Sequence, residues 1–365
     1  MSAFADHVFE FLGTYATPRR MRFFADGWGD VELASRVAEK ARAAFAPRRA
    51  RNAVDVEVTW LATDVDEKFA VPVTRSELSF RSPFADALPA ESARVVAARW
   101  TPTLGAETRP RERRKVAVLL PCTGDQYEWF RRGIAEELLA EGIECVVPTI
   151  AYYGCRKPEA QLAHVLRTVS EAKIQSSVTP VEMACLVRGV HEEIKKRDGV
   201  DYRGVDWVLA GISLGGTMGA LAACALKASG ADVGGDVSVC CVAGPSDGTP
   251  FVEGSIGKRV AWDVLGSQLG ADERATKERM LEEFAELEVG TLAVANSARR
   301  AVCLTAKHDR FIVSSEGLDK ALRLMSGDGF ERIDFDGGHL NFLWKRKAVV
   351  VPAIKRAFGI DVVVG

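Results

Sequence analysis

WVLAGISLGGTMGALAACAL, residues 207–226, begins with a short apolar run from Trp207 to Ala210, which predicts a strand. It turns through Gly211-Ile212-Ser213-Leu214-Gly215 and continues in small and apolar residues at helical spacing. A serine between two glycines, at a sharp strand-to-helix turn, is the pattern of a nucleophile elbow, G-x-S-x-G. A side chain at Gly211 or Gly215 would collide with the neighbouring strand or helix, so glycine stands at both. The turn lifts the serine Oγ above the sheet, and the N-terminus of the following helix favours negative charge beside it. The 20 uncharged residues match a membrane span in length, but four glycines and a strand-like start argue against one continuous helix. Gly211, Gly215, Gly216 and Gly219 do not have the G-x-G-x-x-G spacing of a dinucleotide loop.

Outward from this stretch, the C-terminal two thirds alternate strand and helix signals. The expected strands are Val116 to Leu120, Ile143 to Pro148, Trp207 to Ala210, Val237 to Ala243, Ala301 to Ala306 and Glu331 to Phe335. The expected helices are Tyr127 to Glu141, Pro158 to Gln175, Val181 to Arg197, Leu214 to Lys227, Ser315 to Met325 and Asn341 to Phe358. This rhythm predicts an α/β fold with a mainly parallel, doubly wound sheet. Charged, helical Arg259 to Leu287 interrupts it and reads as a cap, about residues 257–290. Residues 1–110 read as N-terminal helices and leading strands (Val54 to Ala62, Val71 to Phe80, Ala93 to Trp100) of the same fold, with 111–365 as its core. Arg48 to Arg51 form a basic cluster typical of a solvated loop.

A chain of 365 residues holds one large core. Its 47% hydrophobic and 27% charged residues suit a water-soluble globular protein, and a net charge of −2 offers no general affinity for nucleic acid. The eight cysteines mostly lie in apolar runs without a C-x-x-C pair, so they read as reduced core residues with no metal role. No secretory signal is expected at the N-terminus, and the chain reads as intracellular. An apolar stripe followed by Arg19, Arg20 and Arg22 favours a mitochondrial address, while Asp6 and Glu10 oppose it, so mitochondrial and cytoplasmic readings both stand.

A nucleophilic Ser213 needs a base and an orienting acid, in the chain order serine, acid, histidine. Only His308 and His339 follow it. His339, in Asp336-Gly337-Gly338-His339 directly after a strand, is the expected base. Asp309, after the strand ending at Ala306, is the expected acid; Asp247 and Asp336 are the alternatives. The oxyanion hole is expected from the backbone N–H of Leu214 and, in the Pro121-Cys122-Thr123-Gly124-Asp125 loop, that of Asp125.

Several blocks together resemble the α/β-hydrolase domain-containing protein 18 family: GWG (27–29), TGD (123–125), YYGCRKP (152–158), GISLGG (211–216), Asp309 and GGH (337–339). YYGCRKP is the most specific of them. The resemblance implies an α/β-hydrolase fold with Ser213, Asp309 and His339 as the triad; separately, no cofactor and no metal are expected. It also points toward lipid acyl esters, because animal members are linked with deacylation of mitochondrial cardiolipin. On that reading Arg156 and Lys157 hold an anionic head group, Tyr152 and Tyr153 line an acyl entrance, and the protein meets a membrane only peripherally; the alternative is that Arg156 makes a structural ion pair and the tyrosines belong to the core. A hydrolase-fold protein that binds a lipid or protein partner without chemistry is the competing expectation.

Overall fold

The computed structural model describes residues 6–7, 18, 21–46, 56–66, 69, 72–102, 113–162 and 164–364. The basic cluster at Arg48 to Arg51 lies outside them. Among the described residues nine strands form one sheet: β1 (Thr59–Asp66), β2 (Val73–Arg81), β3 (Arg94–Pro102), β4 (Arg114–Leu120), β5 (Glu144–Thr149), β6 (Val205–Ile212), β7 (Val237–Val242), β8 (Ala301–Ala306) and β9 (Phe330–Phe335). Their order is β1-β2-β3-β5-β4-β6-β7-β8-β9. The pairs β1–β2, β2–β3 and β3–β5 are antiparallel, and every pair from β5–β4 to β8–β9 is parallel. The central strands β4, β6 and β7 are nearly continuous apolar runs because helices cover both their faces.

One face carries α1 (Val31–Arg42), α3 (Val169–Asp198) and α4 (Leu214–Ser229); the other carries α2 (Trp129–Ala140) and α8 (Val351–Ala357). Between β7 and β8 the chain builds the cap helices α5 (Trp262–Leu269) and α6 (Glu273–Ala285), and α7 (Glu316–Ser326) joins β8 to β9. No helix among the described residues is long and apolar enough to cross a membrane. All eight cysteines are free thiols.

Two of the helical expectations need correction. Pro158 to Gln175 and Val181 to Arg197 are not two helices: residues 158–168 are mostly irregular, and α3 runs unbroken for 30 residues with Pro180 inside it. It starts at a capping box, where the Thr168 hydroxyl accepts the Glu171 N–H and the Glu171 carboxylate reaches back. Proline inside a helix costs about 3 kcal/mol, but α3 is buried along most of its length against α1, α4 and the sheet, and that packing outweighs the cost. The charged stretch Arg259 to Leu287, read as helices, forms two of them, because Gly270 ends α5 with φ +63° and Asp272 caps α6. The last helix is likewise interrupted, with a separate turn at Asn341–Trp344 and a wide turn at Arg346–Val350 before α8.

The GWG block is a joint between core and cap. The carbonyls of Gly27 and Trp28 accept the N–H groups of Val169 and Ser170 at the start of α3. The Trp28 indole donates to the Leu265 carbonyl in α5 at 3.1 Å.

At the start of the sheet Glu144 is buried between two guanidinium groups, Arg99 at 2.5 Å and Arg114 at 2.6 Å. Burial alone would push its carboxyl up, but the charges and hydrogen bonds of Arg99 and Arg114 outweigh burial and hold it below the usual carboxylate range. A carboxyl depressed on folding stabilises the protein fully above its unfolded pKa of about 4.3 and loses that contribution as pH falls toward its folded value. Glu144→Gln should therefore melt well below the wild type at pH 7, with the gap narrowing progressively below about pH 4.3. Parallel thermal melts from pH 7 to pH 3 check this; a gap independent of pH would count against it.

Candidate active site

Ser213 sits between β6 and α4 with φ +54° and ψ −125°, a backbone conformation that L-residues rarely adopt. The flanking glycines are required by close backbone approach. A Cβ on Gly211 would lie 2.4 Å from the Gly215 carbonyl carbon, and one on Gly215 would lie 2.7 Å from the Leu120 carbonyl oxygen at the end of β4. The elbow is thus wedged against the neighbouring strand.

Asp309 and His339 follow β8 and β9, at the same sheet edge as Ser213 because β6, β8 and β9 run parallel. His339 Nδ1 lies 2.8 Å from Asp309 Oδ2. The second oxygen of Asp309 accepts the N–H groups of Phe311 at 2.8 Å and Ile312 at 2.9 Å. An ionised carboxylate only accepts, so beside it a neutral imidazole carries its proton on Nδ1 and keeps the lone pair on Nε2. The Phe311 ring stacks on the imidazole, with centroids 4.7 Å apart. The alternative acids are engaged elsewhere. Asp247 accepts from Thr249 N–H and the Ser246 hydroxyl, and Asp336 pairs with His308 at 3.0 Å. No hydrogen bond joins Ser213 to His339 among the described residues. The hydroxyl is a free rotor and such contacts commonly tighten only with substrate in place.

The TGD loop departs from expectation. Asp125 N–H closes a turn onto the Cys122 carbonyl at 3.2 Å, and its carboxylate is ion-paired with Arg131 at 2.6 Å. Arg131 in turn donates to the carbonyls of Leu119 and Pro148, so Asp125 anchors the loop and offers no N–H to the site. Thr123 is the residue of this loop that lines the cavity with Ser213 and Leu214. Neither Thr123 N–H nor Leu214 N–H donates to another described residue. Desolvation, reinforced by Asp125, pushes the neighbouring Cys122 thiol up to about 12, which leaves it a poor rival nucleophile. His164 packs near Gly124, and burial, then Arg259, pushes it down to about 4, so it stays neutral.

Arg156 and Lys157 do not form a head-group site. Arg156 is fully buried, grips Glu182 of α3 with two hydrogen bonds of 2.8 Å, and donates to the carbonyls of Ser92 and Thr149. Lys157 Nζ donates to the Gln161 carbonyl at 2.8 Å. Tyr152 and Tyr153 are buried in the core and line no entrance. The YYGCRKP block is a structural knot after β5: the guanidinium satisfies carbonyls the chain would otherwise bury unpaired.

The cap does reach the site. A cavity of about 80 Å³ is lined by Ser213, Thr123, Leu214, Met218, Pro250 and Phe251, and on the cap side by Phe284 of α6 and Leu287 just beyond it. Buried Lys173 of α3 ties α6 down through Glu283 at 2.9 Å and Glu286 at 2.7 Å. The chemistry of that pair was not legible in the sequence, since the partners lie 110 residues apart. A groove of about 480 Å³ between Lys227 and Arg299 lies at the opposite, N-terminal edge of β7 and β8. Among the described residues no cluster of His, Cys, Asp or Glu is placed to hold a metal ion.

The family model described as alpha/beta hydrolase domain containing 18 matches residues 21–279 and 269–360. The chain belongs to that family. Its fold is the α/β-hydrolase fold. Among solved structures it is similar to an acetyl xylan esterase from Paenibacillus sp. R4, with TM-score 0.51 and 15% identity over 91% of this chain and 95% of that one. It also matches a cold-adapted esterase from an Arctic intertidal metagenomic library (TM-score 0.47, 13% identity, 82% and 99% covered). A Pyrobaculum calidifontis esterase gives TM-score 0.46 and 14% identity, with 91% and 94% covered. At 15% identity the Paenibacillus likeness speaks to the fold alone.

Asp309→Asn should lower turnover by up to about 10⁴-fold with the fold intact, whereas Asp247→Asn should cost far less. Steady-state kinetics with matched thermal melts decide; equal losses at unchanged stability would remove the case for Asp309. Arg156→Gln strands a buried carboxylate and should destabilise the protein by about 3–5 kcal/mol, while Lys157→Gln, half exposed, should cost much less; denaturant titrations measure both.

Proposed function

We propose that this family member hydrolyses a carboxylic ester through an acyl-enzyme on Ser213. The observation that carries the reading is the 2.8 Å Asp309–His339 contact, at the sheet edge where the strained Ser213 elbow opens into an apolar cavity. In the proposed reaction Ser213 Oγ attacks the ester carbonyl while His339 Nε2 takes its proton. The oxyanion is held by the N–H groups of Leu214 and Thr123. The tetrahedral intermediate collapses, the C–O bond breaks, and Nε2–H protonates the departing alcohol. Water, deprotonated by Nε2, then attacks the acyl-enzyme and releases the carboxylic acid with Ser213 restored. Asp309 fixes the tautomer and stabilises the imidazolium.

The cavity supports an apolar acyl group, lined as it is by Met218, Phe251, Ile256, Phe284, Leu287 and Ile312. About 80 Å³ is small beside the roughly 300–1,000 Å³ of pockets that enclose drug-sized ligands, so the resting shape favours acyl chains of a few carbons. A lipid acyl chain, the substrate class the family resemblance implies, requires α6 to move away from Ser213 against its ion pairs with Lys173. The phospholipid part of that expectation loses its chemical support with Arg156 and Lys157.

A fluorophosphonate probe should label the wild type and not Ser213→Ala. On nitrophenyl esters of increasing chain length, acetate and butyrate should be cleaved faster than palmitate, and Leu287→Ala should shift the preference toward longer chains. A folded wild type that neither labels nor cleaves any of these esters would favour a non-catalytic lipid- or protein-binding role.

A further inference from the structure

Asp6, near the start of the chain, is fully buried against the histidine loop. Its Oδ2 accepts the backbone N–H of His339 at 2.7 Å, and its Oδ1 accepts that of Leu340 at 2.9 Å. Gly338 makes the room: a Cβ there would lie 2.7 Å from Asp6 Oδ2. The next residue, His7, accepts at Nε2 from the Arg310 guanidinium at 2.9 Å. Two adjacent residues therefore touch both the loop that carries His339 and the loop that carries Asp309. The two amides Asp6 engages stand just ahead of the helical turn Asn341–Trp344, where backbone donors lack intrahelical partners.

We propose that Asp6 is a positioning residue that sets where the His339 imidazole stands between Asp309 and Ser213. The inference rests on the reading of these three as the reacting set. Its physical basis is that the Asp6 carboxylate holds the backbone of the very residue that bears the base. Charge-assisted hydrogen bonds to two consecutive amides fix that backbone more tightly than exchangeable water does. The His339 loop is otherwise held by short-range bonds (Gly338 N–H to Asn341 Oδ1, Asn341 N–H to the Gly338 carbonyl, Phe342 N–H to the His339 carbonyl) and, across to the Asp309 loop, by His308 N–H to the Gly337 carbonyl at 3.0 Å and the His308–Asp336 and His339–Asp309 side-chain contacts. None of these engages the backbone N–H of His339 or Leu340, which Asp6 holds. A displacement of about 1 Å in a reacting group is enough to cost a hundredfold in rate.

The test uses the full chain with a soluble short-chain nitrophenyl ester, and kcat is normalised to the Ser213 sites titrated by fluorophosphonate. Asp6→Ala should lower kcat per titrated site by about a hundredfold while KM stays nearly constant. Asp6→Asn keeps the shape and one acceptor, so it should fall between the two and covers the case in which the alanine variant does not fold. A merely structural Asp6 would reduce melting temperature and the number of titratable sites, leaving kcat per site unchanged; that result overturns the proposal. A second readout needs no turnover: the downfield proton resonance of His339 Nδ1–H, assigned by its loss in Asp309→Ala. It should shift or broaden in Asp6→Asn, and an unchanged resonance also overturns the proposal. If the wild type neither labels nor turns over, the ester-hydrolase reading fails, and the resonance still reports whether Asp6 positions the ring.

Discussion

The close approach of three backbone segments at Gly211, Gly215 and Leu120 is the constraint on which the site depends. There is room for only two Cα hydrogens where β6 turns into α4, and no room for a methyl group against the end of β4. The turn therefore leaves Ser213 at φ +54°, a strain of about 1–3 kcal/mol. That cost is tolerable because α4 is buried over nearly its whole length behind it. The same approach places the end of β4 beside the elbow, so the loop carrying Thr123 faces the N-terminus of α4. One packing requirement thus fixes the proposed nucleophile and both proposed oxyanion donors together.

Charge is used inside this protein to hold loops in place. Arg156 with Glu182, Arg131 with Asp125, and Lys173 with Glu283 are buried pairs, each joining a loop or cap to a core element, and partly exposed Glu286 adds a second contact to Lys173. Such pairs add little net stability, because desolvation offsets much of their attraction, but breaking one leaves a buried charge and is expensive. The geometry they specify is correspondingly stiff. Lys173 has the most direct consequence for function, since it fastens the helix that roofs the cavity. Access for a long acyl chain is then linked to an electrostatic contact between α3 and α6, away from the reacting atoms.

The histidine loop is held differently. Gly337 and Gly338 give it a bend with few side chains of its own, and a carboxylate from the far end of the sequence supplies the missing hydrogen bonds. A fold in which three loops converge from parallel strands places its reacting groups by the strand register and then needs local contacts to fix them finely. Phe311 stacked on the imidazole and Asp309 caught by two amides are contacts of that kind.

The sequence by itself determined the strand–helix rhythm, the elbow and the serine–acid–histidine order, because each is written in neighbouring residues: apolar period, glycine spacing, and a polar residue directly after a strand. It also carried the family through blocks such as GISLGG and GGH. Tertiary structure alone decided what distant residues do to one another. Asp309, rather than Asp247 or Asp336, faces His339 because β8 and β9 are adjacent and in register. Thr123, rather than Asp125, reaches the cavity because Asp125 N–H is consumed in its own turn and its side chain is claimed by Arg131. Arg156, for which the sequence leaves open a phosphate contact or a structural ion pair, is enclosed by Glu182 and backbone carbonyls from two other segments. Pro180 reads locally as a helix end, yet α3 runs through it because burial on several sides outweighs one lost hydrogen bond. Local pattern fixes which residues are available for chemistry; burial and pairing across hundreds of residues fix which of them are free to do it.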